Sequence, residues 1–220
     1  MERLDKILAG TGRWSRREVK ELVRQGRVRV DGQTARTAEE KVAPEAAAIT
    51  VDGQPVETER FTYVMLHKPA GLLTAARDKK QPTVMDLLPA EYAAIGCMPV
   101  GRLDKDTEGL LLVTDDGALS HALMSPTRHV SKVYEAEIDG ELVPDAAERF
   151  ASGLTLRDGT ECRPATLEQL PDGRVRVTLH EGKYHQVKRM IAACGATVTY
   201  LKRVQLGNVR LDERLAPGEF

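Results

Sequence analysis

Gly101-Arg102-Leu103-Asp104-Lys105-Asp106-Thr107-Glu108-Gly109-Leu110-Leu111-Leu112-Val113-Thr114-Asp115-Asp116-Gly117 reads as a polar loop, then an apolar strand, then a helix start. Leu110 to Val113 is an unbroken apolar run, too short for a helix and right for a strand covered on both faces. Asp115 and Asp116 stand where a helix over Ala118–Met124 needs an N-cap acceptor. Gly101 and Gly109 bracket the loop and let its backbone take shapes that other residues resist. A carboxylate in such a loop, beside an arginine and rooted in a buried strand, is presented rigidly to whatever the loop faces. The tripeptide Arg-Leu-Asp alone carries no weight, since it recurs at Arg3-Leu4-Asp5 and Arg210-Leu211-Asp212.

The 220-residue chain can bury a proper core, in one large or two modest domains. With 41% apolar and 30% charged residues it has the balance of a soluble globular protein. Aromatics are only 4%, so stacking on bases cannot rest on many rings. A net charge of −1 argues neither for nor against nucleic acid, and the local distribution says more. Residues 1–36 carry ten Lys or Arg against five Asp or Glu, and residues 183–211 carry six with no acid. Two basic zones in a neutral chain point to a polyanion touched at defined places, with solvated helix faces as the plainer reading.

Cys97, Cys162 and Cys194 are far apart and odd in number, which leaves no disulfide framework or paired-cysteine metal site and fits a reducing cytosol. The histidines lack paired ligand spacing, so no metal is expected. The N-terminus has no apolar signal region and no run reaches membrane-spanning length. A soluble cytoplasmic protein without membrane contact is expected.

Leu4, Ile7 and Leu8 share one helical face. Beyond Gly10-Thr11-Gly12, Ser15 and Glu18 have capping-box spacing, opening a helix with Val19, Leu22 and Val23 inward and Gly26 as its stop. Val28 and Val30 alternate with Arg27 and Arg29 into an Asp31-Gly32 turn, and Ile49-Thr50-Val51 runs into Asp52-Gly53 likewise. This order reads as a small separate module. Its Arg3-Leu4-Asp5-Lys6, Ser15-Arg16 and Gly26-Arg27-Val28-Arg29-Val30-Asp31-Gly32 resemble the S4 RNA-binding domain. Arg16, Arg17, Lys20 and Arg24 fall mostly on one exposed helix side, able to meet RNA phosphates without reading sequence. Arg3, Lys6 and Arg27 are further expected contacts, and affinity carried this way falls steeply with salt. The polar stretch Val56–Arg60 is the expected boundary, giving domains 1–59 and 60–220.

Phe61–Leu66 reads as a strand, ending where Lys68-Pro69-Ala70-Gly71 forces a turn. Val84–Leu88 is an expected helix in an otherwise uninformative stretch. Val130–Ile138 alternates as a strand, Pro144–Ser152 is helical with Phe150 inward, and Val175–Leu179 is a strand. That strand runs into Glu181-Gly182-Lys183-Tyr184-His185-Gln186-Val187-Lys188-Arg189-Met190, with Gly182 at the break and Val187 and Met190 facing the core of a helix. On residue type alone, Tyr134 in its strand reads as core.

The seventeen-residue string, with Lys68-Pro69-x-Gly71, Lys132-x-Tyr134 and the Glu181–Met190 segment, resembles the RsuA-type ribosomal RNA pseudouridine synthases. The resemblance covers almost the whole chain. It implies an α+β fold, in which a small S4 domain of helices and short strands precedes a catalytic domain with a mixed, largely antiparallel sheet flanked by helices. It implies that Asp104 is catalytic, with Asp106 as the competing acid in second place. Arg102, Tyr134 and Lys188 support the site: Lys188 as the cation beside the carboxylate, Tyr134 against the target base, Arg102 filling the vacated stack or holding displaced backbone. Lys68 shapes the adjoining loop, with direct RNA contact as its second reading; Lys132 and Lys183 are further expected RNA contacts.

The implied reaction breaks the N1–C1′ bond of uridine, rotates the uracil and rejoins it at C5. Reactant and product are isomers, so no cofactor is called for. The uridine must leave its stack. The acid must be ionised, which a neighbouring cation favours; attack at C1′ and removal of a C2′ proton both stay open. The expected partner is ribosomal RNA, small-subunit first and large-subunit second, met by a monomer. A non-catalytic RNA-binding or ribosome-assembly factor would carry a damaged Asp104 loop, and a base-removing glycosylase has no motif here.

Overall fold

In the computed structural model, which describes residues 1–44, 47–57 and 61–220, the chain divides into two units. Met1–Thr62 with Pro89–Cys97 form one, and Tyr63–Leu88 with Met98–Phe220 the other. The expected boundary at 59/60 lies outside the described residues. Pro89–Cys97 groups with the N-terminal unit although it lies in the middle of the second unit's sequence.

The first unit holds β1 (Glu2–Arg3), α1 (Leu4–Gly10), α2 (Arg16–Arg24), β2 (Val28–Val30), β3 (Gln33–Thr34), β4 (Lys41–Val42), β5 (Ile49–Val51), β6 (Gln54–Pro55) and α3 (Ala90–Ala94). The capping box forms in both directions: the Glu18 amide donates to Ser15 Oγ at 3.3 Å and the Ser15 amide to Glu18 Oε2 at 2.6 Å. Beyond α2, Gly26 takes φ 71° as a left-handed stop. β2 pairs antiparallel with β3 and β5, and β5 with β6. The Asp31-Gly32 and Asp52-Gly53 turns have both residues at positive φ, as tight hairpins require. Leu4, Leu8, Val19 and Val28 are fully buried at the centre of this unit's core.

The second unit holds β7 (Tyr63–Lys68), a 3-10 turn (Val84–Leu87), β8 (Met98–Pro99), β9 (Glu108–Thr114), α4 (Gly117–Met124), β10 (Lys132–Asp139), α5 (Ala146–Ser152), β11 (Thr166–Gln169), β12 (Val175–Leu179), α6 (Gln186–Ala193), β13 (Thr197–Leu206) and β14 (Val209–Arg210). Its sheet runs β11-β12-β10-β13-β9-β7, with β14 added on β13 and β8 on β9. Every pairing is antiparallel except β13 with β9. Leu110, Leu111 and Val113 of β9 are fully buried, as the apolar run requires of a central strand. Asp116 caps α4, its Oδ1 accepting from the Leu119 amide at 2.9 Å. The expected helix at 84–88 is instead a 3-10 turn, because Leu88 precedes Pro89 and is held extended at ψ 148°. Among the described residues no helix is long and apolar enough to cross a membrane.

Gly109 fixes how closely the parallel strands approach. It sits at φ 106°, and a Cβ there would lie 2.2 Å from the carbonyl oxygen of Arg203, its β13 partner. On the other side Gly109 pairs with Lys68 of β7. Two buried cations therefore flank the residue from which β9 rises out of the Asp104 loop.

Candidate active site

The Asp104 loop is held from below by backbone and side-chain bonds. Lys68 is fully buried, and its ammonium donates to the carbonyls of Pro69, Lys105 and Thr107 at 2.9, 3.1 and 2.8 Å. Gly71 N donates to Lys105 O at 2.7 Å, and Thr74 Oγ1 donates to Leu103 O at 2.8 Å. Burial pushes the Lys68 pKa down to about 8. This corrects the expectation of an RNA contact: Lys68 has no surface to offer, because all its donors are turned onto the loop it shapes.

Asp104 emerges from this frame into a cleft of about 700 Å3. Its side chain is 31% exposed, and two basic groups approach it from the 180s segment. Lys188 Nζ on α6 lies 3.7 Å from Asp104 Oδ2, and His185 Nε2 lies 3.7 Å from Oδ1. The Lys188 hydrogen bond itself goes to Asp106 Oδ1, at 2.6 Å. That bond holds the Asp106 carboxyl below the usual carboxylate range. The expected cation is thus beside Asp104 but shared with its competitor.

The cleft gathers most of the other expected residues. Arg102 lines it, exposed, with no ion-pair partner among the described residues. Tyr134 lines it half-buried, set in β10 opposite Val177 and Arg203. Lys132 also lines it, largely buried, donating to Val130 O at 3.2 Å. Burial lowers the Lys132 pKa, and the nearby Arg203 charge adds to the effect. Lys183 lines the cleft too, but its ammonium is engaged by Glu161 O and lies 3.7 Å from Glu181 Oε2.

Two cleft residues went unassigned in the sequence. Arg203 is buried, donates Nε to Leu110 O at 2.9 Å, and leaves Nη2 without a partner among the described residues. His185 sits in left-handed backbone at φ 48°, which turns its ring toward Asp104. His185 stands within the quoted Glu181–Met190 string, so that motif was the available signal; the local backbone shape was not. Among the described residues no group of three or more His, Cys, Asp or Glu is placed to hold a metal.

In the first unit, most expected RNA contacts already have carboxylate partners. Arg3 pairs with Asp5 and Glu39, Lys6 with Glu2, Lys20 with Glu39, Arg24 with Glu21 and Arg27 with Asp52. Arg16 and Arg17 have no such partner among the described residues and are exposed. Exposed pairs contribute under about 1 kcal/mol, so an RNA phosphate can displace a carboxylate at small cost.

Comparison with known proteins follows the same division. A family model described as RNA pseudouridylate synthase matches residues 62–193, and one for the S4 domain matches residues 2–47. An uncharacterized RNA pseudouridine synthase, YtzG, of Bacillus subtilis (strain 168) is 44% identical over 99% of this chain and 93% of that protein. Ribosomal small subunit pseudouridine synthase A of Escherichia coli (strain K12) is 41% identical over 99% of this chain and 94% of that protein. A crystal structure of a pseudouridylate synthase, 35% identical, superposes with a TM-score of 0.68 over 100% of this chain and 94% of that one.

Proposed function

This chain belongs to the RNA pseudouridylate synthase family, and on that premise we propose that it isomerises one specific uridine of small-subunit ribosomal RNA, with Asp104 as its catalytic carboxylate. The observation that carries the assignment is the Asp104 carboxylate on the wall of an open cleft, with Lys188 and His185 each 3.7 Å away. The choice of RNA rests on the relatives named as small-subunit enzymes.

In this reading the target uridine leaves its stack and enters the cleft. Tyr134 presents a ring to the extruded base, an interaction of roughly 1–3 kcal/mol. Arg102, exposed at the same wall and without an ion-pair partner among the described residues, fills the vacated stack or holds the displaced backbone. The ionised Asp104 then acts at the ribose, either on C1′ or on a C2′ proton, and Lys188 stabilises its charge. Lys132 and Arg203 add positive potential from the cleft's inner side, where screening is weak. The first unit contributes affinity through Arg16 and Arg17, with the paired cations exchanging carboxylates for phosphates. The protein works in the cytoplasm, as a monomer, where its RNA is assembled into ribosomes.

Ribosomal RNA labelled with tritium at C5 of uridine tests the reading. Isomerisation releases the label without releasing free base. Pseudouridine mapping in rRNA from a deletion strain then gives the site. Label retained by wild-type protein on small- and large-subunit RNA alike refutes the activity; a missing pseudouridine confined to large-subunit RNA refutes the choice of subunit.

A further inference from the structure

Tyr184 lies 73% exposed, in a chain whose aromatics amount to 4%. A single exposed ring is ordinary on a protein surface, but this one is placed and braced. It lines the same cleft as Asp104. One of its faces is covered by the His185 ring, with centroids 3.8 Å apart and planes 17° from parallel. The other face is open. His185 in turn reaches to 3.7 Å from Asp104, so carboxylate, imidazole and phenol stand in sequence from the cleft wall outward.

The turn beneath the pair is tied by three hydrogen bonds. Lys183 N donates to Gln186 Oε1 at 2.9 Å, the buried Gln186 donates Nε2 to Glu181 Oε1 at 2.7 Å, and Arg189 Nη1 donates to Tyr184 O at 3.3 Å. A flat ring held in one orientation, stacked on a second, loses little freedom when a third flat group is laid on it.

We propose that the Tyr184–His185 pair is a stacking platform for the nucleobase next to the target uridine, holding the strand while the target occupies the cleft. The proposal rests on the base-flipping reading above. Tyr134 and Tyr184 divide the work by exposure: the half-buried ring inside the cleft takes the extruded uracil, and the exposed ring at the mouth takes its neighbour. Stacking tolerates any base, so the platform positions the strand without choosing its sequence.

The test is a cycle between protein and RNA. The probe is a small-subunit rRNA fragment spanning the modified uridine, intact or with an abasic nucleotide on its 5′ or 3′ side. On intact RNA, Tyr184→Ala raises Kd and KM by about 5- to 100-fold, while kcat changes by less than about threefold and Tyr184→Phe matches wild type. With one of the two abasic RNAs, the difference between wild type and Tyr184→Ala falls to within about twofold. Unchanged affinity of Tyr184→Ala on intact RNA overturns the proposal, as does an equal loss on all three RNAs. Affinity is measured by direct binding, separately from pseudouridine formation. Wild type that binds but makes no pseudouridine refutes the functional reading, whereas a vanished Tyr184 effect in active enzyme refutes only the platform.

Discussion

Lys188 gives its hydrogen bond to Asp106 and not to Asp104: its Nζ lies 2.6 Å from Asp106 Oδ1 and 3.7 Å from Asp104 Oδ2. Asp106 is 73% exposed, so its hold on the ammonium is screened by solvent. Asp104, less than half as exposed and framed by its loop, is the carboxylate that a bound nucleotide would shield from water.

Exchanging the two acids separates them. Asp104→Asn is expected to lose at least about a thousandfold in tritium release while still binding RNA. Asp106→Asn frees Lys188 for Asp104, retains activity within about tenfold, and changes stability by less than about 1 kcal/mol. An active Asp104→Asn protein would remove the assignment.

Lys68 predicts a pH effect with a defined sign. The folded chain releases this proton from about pH 8, whereas the unfolded chain keeps it to the ordinary 10.5. Between those values the unfolded state binds more protons, so the Lys68 contribution makes stability rise with pH; below pH 8 its burial penalty is present in full. A lysine 13Cε resonance with a midpoint near 8 is the expected NMR signature, and a midpoint above 10 refutes it. Lys68→Met strands three loop carbonyls and is expected to cost roughly 3 kcal/mol or more in urea unfolding.

Gly109→Ala should cost about 3 kcal/mol or more, because the new methyl meets backbone, the Arg203 carbonyl at 2.2 Å, in left-handed conformation. Gly101→Ala meets Met124 Sδ at the same 2.2 Å, but a thioether can swing aside. Its cost should be about 1–2 kcal/mol, the left-handed backbone penalty. Urea midpoints in the reverse order would contradict the close approach of β9 and β13.

RNA binding by the first unit should weaken with salt, and removing Arg16 or Arg17 should flatten that slope by about 0.9 each. Lys20→Ala should change it less, since Glu39 already neutralises that ammonium at 3.0 Å. Binding titrations from low to moderate salt decide between them.

Local chemistry was legible where neighbours in sequence are neighbours in space. The Ser15–Glu18 capping box, the β9 apolar run and the Asp116 cap are of that kind. The whole-string resemblance also marked Asp104, Tyr134 and Lys188 for one site; Asp104 and Tyr134 line the cleft, and Lys188 Nζ lies 3.7 Å from Asp104. What stayed hidden depends on tertiary placement. The loop-shaping reading of Lys68 leaves its second reading, an RNA contact, open in the sequence, because full burial is not written into a Lys-Pro turn. His185 needed a left-handed residue that no local pattern announces, and the Asp106–Lys188 bond is a choice between two acids on one loop. The grouping of Pro89–Cys97 with the N-terminal unit likewise leaves no trace in composition.

The parallel seam between β9 and β13 has a bearing on timing. β13 ends at Leu206, close to a hundred positions after Asp104, yet it supplies Arg203 and the wall against which Gly109 seats the acid's strand. Leu201 and Arg203 of that strand line the cleft with Asp104, so the pocket is complete only once this long-range, intrinsically slow pairing has formed.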